Sequence, residues 1–301
     1  MSSGKDRGSI VRKLEKKELL PPWKPFVKET CYEVIMGSFA YGVSNMGSDV
    51  DVYGAFVPPI DMVFPHAAGH IPGFGPQPQV IDVVQKHHII DEDTGKEYDI
   101  ALYNIVNYFK LCADNNPNMI DSLFVPERCV VHSDEVGDIM RENRRLFLHR
   151  GIQKKLSGYA YSQLRKLRTK DPVGKRKDTI AKFGYDVKFA YHVVRLVQQC
   201  EMVLSTGDLD LEANRELLKD VRNGEWTLEQ LESWFEKRQA DLDTLYINST
   251  LPLLPQYDKL KPLLMSCLEA RYGSLSAYFN LEGSEQVAAD KLRKIKEIIN
   301  E

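Results

Sequence analysis

Residues Gly37 to Gly54 run GSFAYGVSNMGSDVDVYG, a small-residue turn followed by a stretch that carries two aspartates. Asp49 and Asp51 stand at i and i+2 of a strand expected over Asp49 to Val57. Side chains of a strand alternate between faces, so both carboxylates point the same way with Cα atoms about 6.5–7 Å apart. Upstream, Val34-Ile35-Met36 predicts a strand from Tyr32 to Met36 that ends on Gly37-Ser38. Such a turn offers backbone N–H groups and a hydroxyl to a phosphate chain, and paired carboxylates hold hard divalent cations. The apolar residues Val50, Val52 and Ala55 to Val57 argue for a central strand over a solvated one. Two like charges buried there raise at least one carboxyl pKa unless a cation neutralises them. The combination points to phosphoryl or nucleotidyl transfer.

Gly-Ser, a spacer and Asp-x-Asp on a strand resembles the signature of the polymerase-β-type nucleotidyltransferase superfamily. With Ala40-Tyr41-Gly42, Ser48-Asp49-x-Asp51 and Gly54, the string is similar to the RNA-repair-associated polymerase-β-like branch. Asn116-Pro117-Asn118, Gly158-Tyr159 before Gln163-Leu164, and His192-x-x-Arg195-Leu196 carry the likeness over about residues 30 to 230. The resemblance implies an α+β fold: a polymerase-β-like mixed sheet with flanking helices, then a helical domain. It implies a metal-dependent transfer of NMP from an NTP to a hydroxyl acceptor, with an RNA end as the acceptor of choice. A protein or small-molecule hydroxyl is the alternative, as is a non-catalytic nucleotide- or RNA-binding module.

Under that reading Asp49 and Asp51 hold two Mg²⁺ (or Mn²⁺) ions, and Gly37, Ser38 and Ser48 meet the nucleotide. Two carboxylates seldom satisfy two metals, so a third acid is expected from a neighbouring strand. Asp99 in Lys96-Glu97-Tyr98-Asp99-Ile100-Ala101-Leu102 is the leading candidate, with Asp82, Asp91 and Asp93 as rivals. Val80 to Ile90 and Glu97 to Leu102 read as a hairpin, on which alternation allows at most one of His87 and His88 to look into the site. Lys188, His192, Arg195 and Gln199 fall at i, i+4, i+7 and i+11, one polar line on a helix over Asp186 to Leu204. That line either meets a triphosphate or RNA backbone or is a solvated face.

The net charge is only −3, yet Arg144 to Lys188 holds fourteen Lys or Arg against three Asp. Such a block is an electrostatic footprint for RNA or another polyanion. At 301 residues the chain predicts three parts: a charged, poorly ordered lead-in over 1–28, a nucleotidyltransferase domain over 29–135 and a helical domain over 136–301. The segment TKDPVGKRKD reads as a loop, residues 61–79 as a long loop able to fold over the site, and Glu285 to Asn300 as a final helix. No apolar run is long enough for a membrane span, no secretory apolar core follows the start, and the five cysteines form no C-x-x-C pair. Reduced thiols and a cytoplasmic location are the expectation.

Overall fold

In a computed structural model, residues 5–6, 8–22, 24–44, 48–71, 73–77, 79–169 and 175–275 are described. Six strands form one sheet: β1 (Lys5–Asp6), β2 (Thr30–Ile35), β3 (Val50–Phe56), β4 (Val83–Asp91), β5 (Lys96–Asn104) and β6 (Val130–Ser133). Their spatial order is β1-β6-β2-β3-β5-β4. Neighbours are antiparallel except β3 and β5, which run parallel. After β3 the chain crosses to the sheet edge, returns along β4, and inserts β5 between β4 and β3. The fold is α+β with a mixed sheet.

Alternation along β3 sorts its side chains between two apolar layers. Val50, Val52 and Phe56 pack with Ile100 and Leu102 of β5 under α1 (Ile10–Lys16) and α2 (Lys24–Lys28). Tyr53, Ala55 and Val57 belong to the opposite layer. Asp51 shares the parity of Tyr53 and Ala55, so its carboxylate is carried to that second side. A short helix, α3 (Gly37–Ala40), follows β2 directly, and α4 (Ile60–Val63) follows β3.

The second layer is built from α5 (Ile105–Ala113), α6 (Pro117–Phe124) and α7 (Glu135–Glu142). Beyond them lie α8 (Ile152–Thr169), α9 (Lys175–Phe183), α10 (Val187–Thr206), α11 (Arg215–Arg222), α12 (Leu228–Asn248) and α13 (Tyr257–Tyr272). Helix α10 is the axis of this half and packs against α8, α11 and α12. Val187, Ala190, Val194 and Val197 are buried along it. Thr227 and Gln230 form the capping box expected before α12, with Gln230 N donating to Thr227 Oγ1 at 3.1 Å and Thr227 N to Gln230 Oε1 at 2.8 Å.

Three expectations change. The lead-in is structured over most of its length. Val11 and Leu14 of α1 are fully buried, and Glu33 of β2 accepts hydrogen bonds from Ser9 Oγ (2.6 Å), Ile10 N (2.7 Å) and Val11 N (3.2 Å). Two apolar residues one turn apart, inside a charged string, are too brief a stripe to stand out in the sequence. The boundary near residue 136 marks a change of secondary structure and not a break in packing, because one apolar cluster runs through both halves. Helix α13 returns to the sheet side, where Arg271 pairs with Glu29 and Tyr272 Oη donates to the Pro58 carbonyl. Thr169 ends α8 and Lys175 opens α9, so the described residues of TKDPVGKRKD are helical; residues 170–174 and the helix expected over 285–300 lie outside the described residues. All five cysteines are buried, and no disulfide joins them among the described residues. No helix among the described residues is long and apolar enough to cross a membrane.

Candidate active site

The parallel register of β3 and β5 sets Asp51 directly beside Asp99, partners across the ladder. Each is half-buried, whereas Asp49 precedes the first paired residue, Val50, and is exposed. The Asp51 carboxyl lies above its ordinary range, through burial first and then the Asp99 charge; Lys188 opposes this and Asp49 adds to it. Asp99 therefore weighs on Asp51 more than its motif partner does. The rival acids stand elsewhere. Asp91 pairs with Lys17 at 2.5 Å at the far end of β4, and the Asp82 carbonyl accepts from Asn104 N (2.9 Å), at the opposite end of β5 from the hairpin turn.

Gly37 is pressed against Asp51. Its φ is +61°, and a Cβ built there would fall 2.0 Å from Asp51 Oδ2. Met36 N also donates to the Asp51 carbonyl at 2.7 Å. The Gly-Ser turn and the first carboxylate are thus one packed unit.

A cleft of about 910 Å³ opens between that unit and the helical half. Gly37, Ser38, Ser48, Asp49 and Asp51 line one side, and Lys188, His192 and Arg195 of α10 line the other. The first three residues of the α10 polar line accordingly face the cleft, while Gln199 is buried. Lys219 and Arg222 of α11 add two cations that the sequence did not single out.

Asp99 is held from behind by a bulge in β4. The register slips between Lys86 and Ile89, and His88 sits at φ +55°. His88 N donates to Asp99 Oδ1 at 2.8 Å, and His87 Nδ1 lies 3.3 Å from Asp99 Oδ2. His88 Nδ1 meets Glu97 Oε1 at 2.5 Å, which raises the His88 pKa. Both histidines therefore turn to the Asp99 side. The extra residue of the bulge resets the parity, so both rings meet acids of β5, but neither histidine lines the cleft.

At the floor of the cleft is a buried network absent from the sequence reading. Tyr41 Oη donates to Asp121 Oδ2, Gln199 Nε2 donates to Asp121 Oδ1 (2.8 Å) and to Tyr41 Oη (2.9 Å), and Arg195 Nη1 donates to Tyr41 Oη (3.0 Å). The one available signal was an aspartate directly after Met119-Ile120 and shortly before Leu123-Phe124 in a short helix.

The basic block divides by role. Arg145 pairs with Asp208, Arg144 lies over the Phe124 ring, and Arg150 donates to the Leu251 (2.9 Å) and Tyr246 (3.3 Å) carbonyls. Lys154, Lys155, Lys166, Lys177 and Lys182 are exposed.

Hard oxygen donors that repel one another, half-buried and partly unneutralised, fit a divalent cation such as Mg²⁺. Asp51 and Asp99 are the fitting pair, with Asp49 at the margin because it lies outside the ladder. Among the described residues no three His, Cys, Asp or Glu side chains are gathered closely enough to hold one ion between them.

A mixed sheet with this Gly-Ser turn and these acids places the chain among polymerase-β-like nucleotidyltransferases. It belongs to the RNA repair pathway DNA polymerase beta family, which it matches over residues 11–241. It is 30% identical over 141 residues to an uncharacterised 38.9 kDa protein in the nrdC–mobD intergenic region of Enterobacteria phage T4. That match covers 46% of this chain and 38% of the phage protein, so the chain spans well under half of its relative's length. Among solved structures it is similar to a nucleotidyltransferase-like protein from Exiguobacterium sibiricum, at 12% identity and a TM-score of 0.29, over 87% of this chain and 79% of that one.

Proposed function

We propose that this protein transfers an NMP from an NTP to a hydroxyl acceptor, with an RNA end as substrate, in a reaction that depends on Mg²⁺ or Mn²⁺. The observation that carries the reading is the register that sets Asp51 against Asp99 beside Gly37. Asp51 and Asp99, with Asp49, are the residues that would hold the ions, which polarise phosphoryl oxygens and offset charge at the attacking and leaving oxygens. The N–H groups and hydroxyl of the Gly37-Ser38 turn bind phosphate oxygens, and Ser48 contacts the nucleotide from the same wall. Lys188, His192 and Arg195 face the acids across the cleft and orient the polyphosphate. Asp99 takes the proton of the acceptor hydroxyl. The acceptor oxygen then bonds to the α-phosphorus, the bond to the bridging oxygen breaks, and pyrophosphate leaves with that electron pair.

The exposed lysines of α8 and α9 supply the polyanion footprint for the RNA strand. The test is incubation with labelled NTPs and separate RNA, protein and small-molecule pools. Label is expected in RNA, dependent on the divalent ion, and absent with Asp49→Ala/Asp51→Ala protein that retains its unfolding transition. Unchanged turnover in that folded double variant refutes the assignment, and label confined to protein or to small molecules moves the acceptor to that class.

A further inference from the structure

We infer that Asp121 is a positioning residue: with Tyr41 and Gln199 it fixes the Arg195 guanidinium as the receptor for the nucleotide's polyphosphate. The inference rests on the nucleotidyl-transfer reading above and adds to it the group that sets the receptor's place. Asp121 is 1% exposed and its helix neighbours Ile120, Ser122 and Leu123 are buried as well. An isolated carboxylate there would be costly, and it is met from three sides by Tyr41 Oη, by Gln199 Nε2 at 2.8 Å and by Arg195 Nη1 at 3.7 Å.

Arg195 is constrained as tightly. Its Nη1 donates to Tyr41 Oη at 3.0 Å, and its guanidinium carbon lies 4.8 Å from the centre of the Tyr41 ring. A guanidinium has five N–H donors in a rigid fork, so these contacts leave donors over. The Arg195 Nε–H is buried and has no hydrogen-bond partner among the described residues, while the side chain lines the cleft. A buried donor without a partner is rare, and a phosphate oxygen entering the cleft is the acceptor that would complete it.

Stability alone does not account for the pair. A well-packed apolar pair of similar volume is often as stable as a buried ion pair, because desolvation offsets the Coulombic gain. The network's position supplies a better reason. Tyr41 follows the turn that opens at Gly37, and Val43 N donates back to the Ser38 carbonyl at 3.0 Å. Through Tyr41, Asp121 therefore sets the distance between the two walls that grip the polyphosphate, the Gly-Ser turn on one side and α10 on the other.

The test measures binding of a non-hydrolysable NTP with Mg²⁺, and of inorganic triphosphate, by calorimetry. The probes are the wild-type protein, an Arg195→Met/Asp121→Leu double variant and a Tyr41→Phe variant. The double variant is expected to keep its unfolding midpoint and to bind triphosphate at least about tenfold more weakly, since a charge-assisted contact is lost with no buried charge stranded. Tyr41→Phe should weaken binding less, raising KM for the NTP with kcat little changed. A merely structural pair predicts the reverse pattern: a lowered midpoint and unchanged affinity per folded molecule. If the double variant does not fold, Tyr41→Phe decides alone. Wild-type affinity in a folded variant overturns the inference and leaves the nucleotidyl-transfer reading standing, whereas a wild-type protein that binds no triphosphate overturns both.

Discussion

Gly37 and Gly95 have nearly the same backbone, φ +61° and +65°, and opposite surroundings. A methyl group at Gly95 would meet nothing within 4 Å, whereas at Gly37 it would strike Asp51 Oδ2 at 2.0 Å. Each alanine substitution pays for the left-handed backbone, about 1–2 kcal/mol. Only Gly37→Ala must also move the carboxylate. Denaturant unfolding should therefore show similar backbone losses for both variants, with a further loss at Gly37, while turnover falls only in Gly37→Ala. Equal turnover in the two variants would show that the Gly37 contact does not place Asp51.

Among elements, α1 depends on a residue of the sheet. Glu33, fully buried on β2, accepts from Ser9 and from the first two N–H groups of the helix, so one carboxylate caps α1 from below. Burial outweighs those hydrogen bonds and pushes the Glu33 carboxyl up from 4.5 to about 7. The unfolded chain releases this proton at the ordinary carboxylate pKa while the folded chain keeps it. Stability is therefore fully present below about 4.5 and declines as pH rises toward about 7. In thermal scans from pH 4 to pH 8, Glu33→Gln should flatten that decline; an unchanged pH slope would exclude Glu33 as its source. Local pattern made much of the architecture legible: alternation located β3 to β5, the motif and the strand together marked Asp51 and Asp99, and helical spacing put Lys188, His192 and Arg195 on one line. Contacts between distant segments were not legible. Nothing near Glu33 announces Ser9, nothing near Asp121 announces Tyr41 or Gln199, and the bulge at His88 is a departure from the very alternation used to read β4.

Over the whole molecule, the basic block mixes two kinds of cation. Arg150 ties the start of α8 to the end of α12 through backbone carbonyls, and its backbone N–H donates to the Pro252 carbonyl at 2.8 Å. Lys154, Lys155 and Lys166 project into solvent. Replacing those three lysines with Gln should reduce the slope of log K against log salt for single-stranded RNA by about 0.7 per lost phosphate contact, with the unfolding midpoint preserved. Arg150→Met should do the opposite, lowering the midpoint and sparing the slope; an unaltered slope in the lysine variant would place the RNA elsewhere. The parallel pairing of β3 with β5 has a kinetic consequence as well. Residues 51 and 99 pair across the whole β4 excursion, a non-local parallel contact of the kind that slows folding. A chain still emerging from the ribosome therefore carries Asp51 without its ladder partner until β5 has been made.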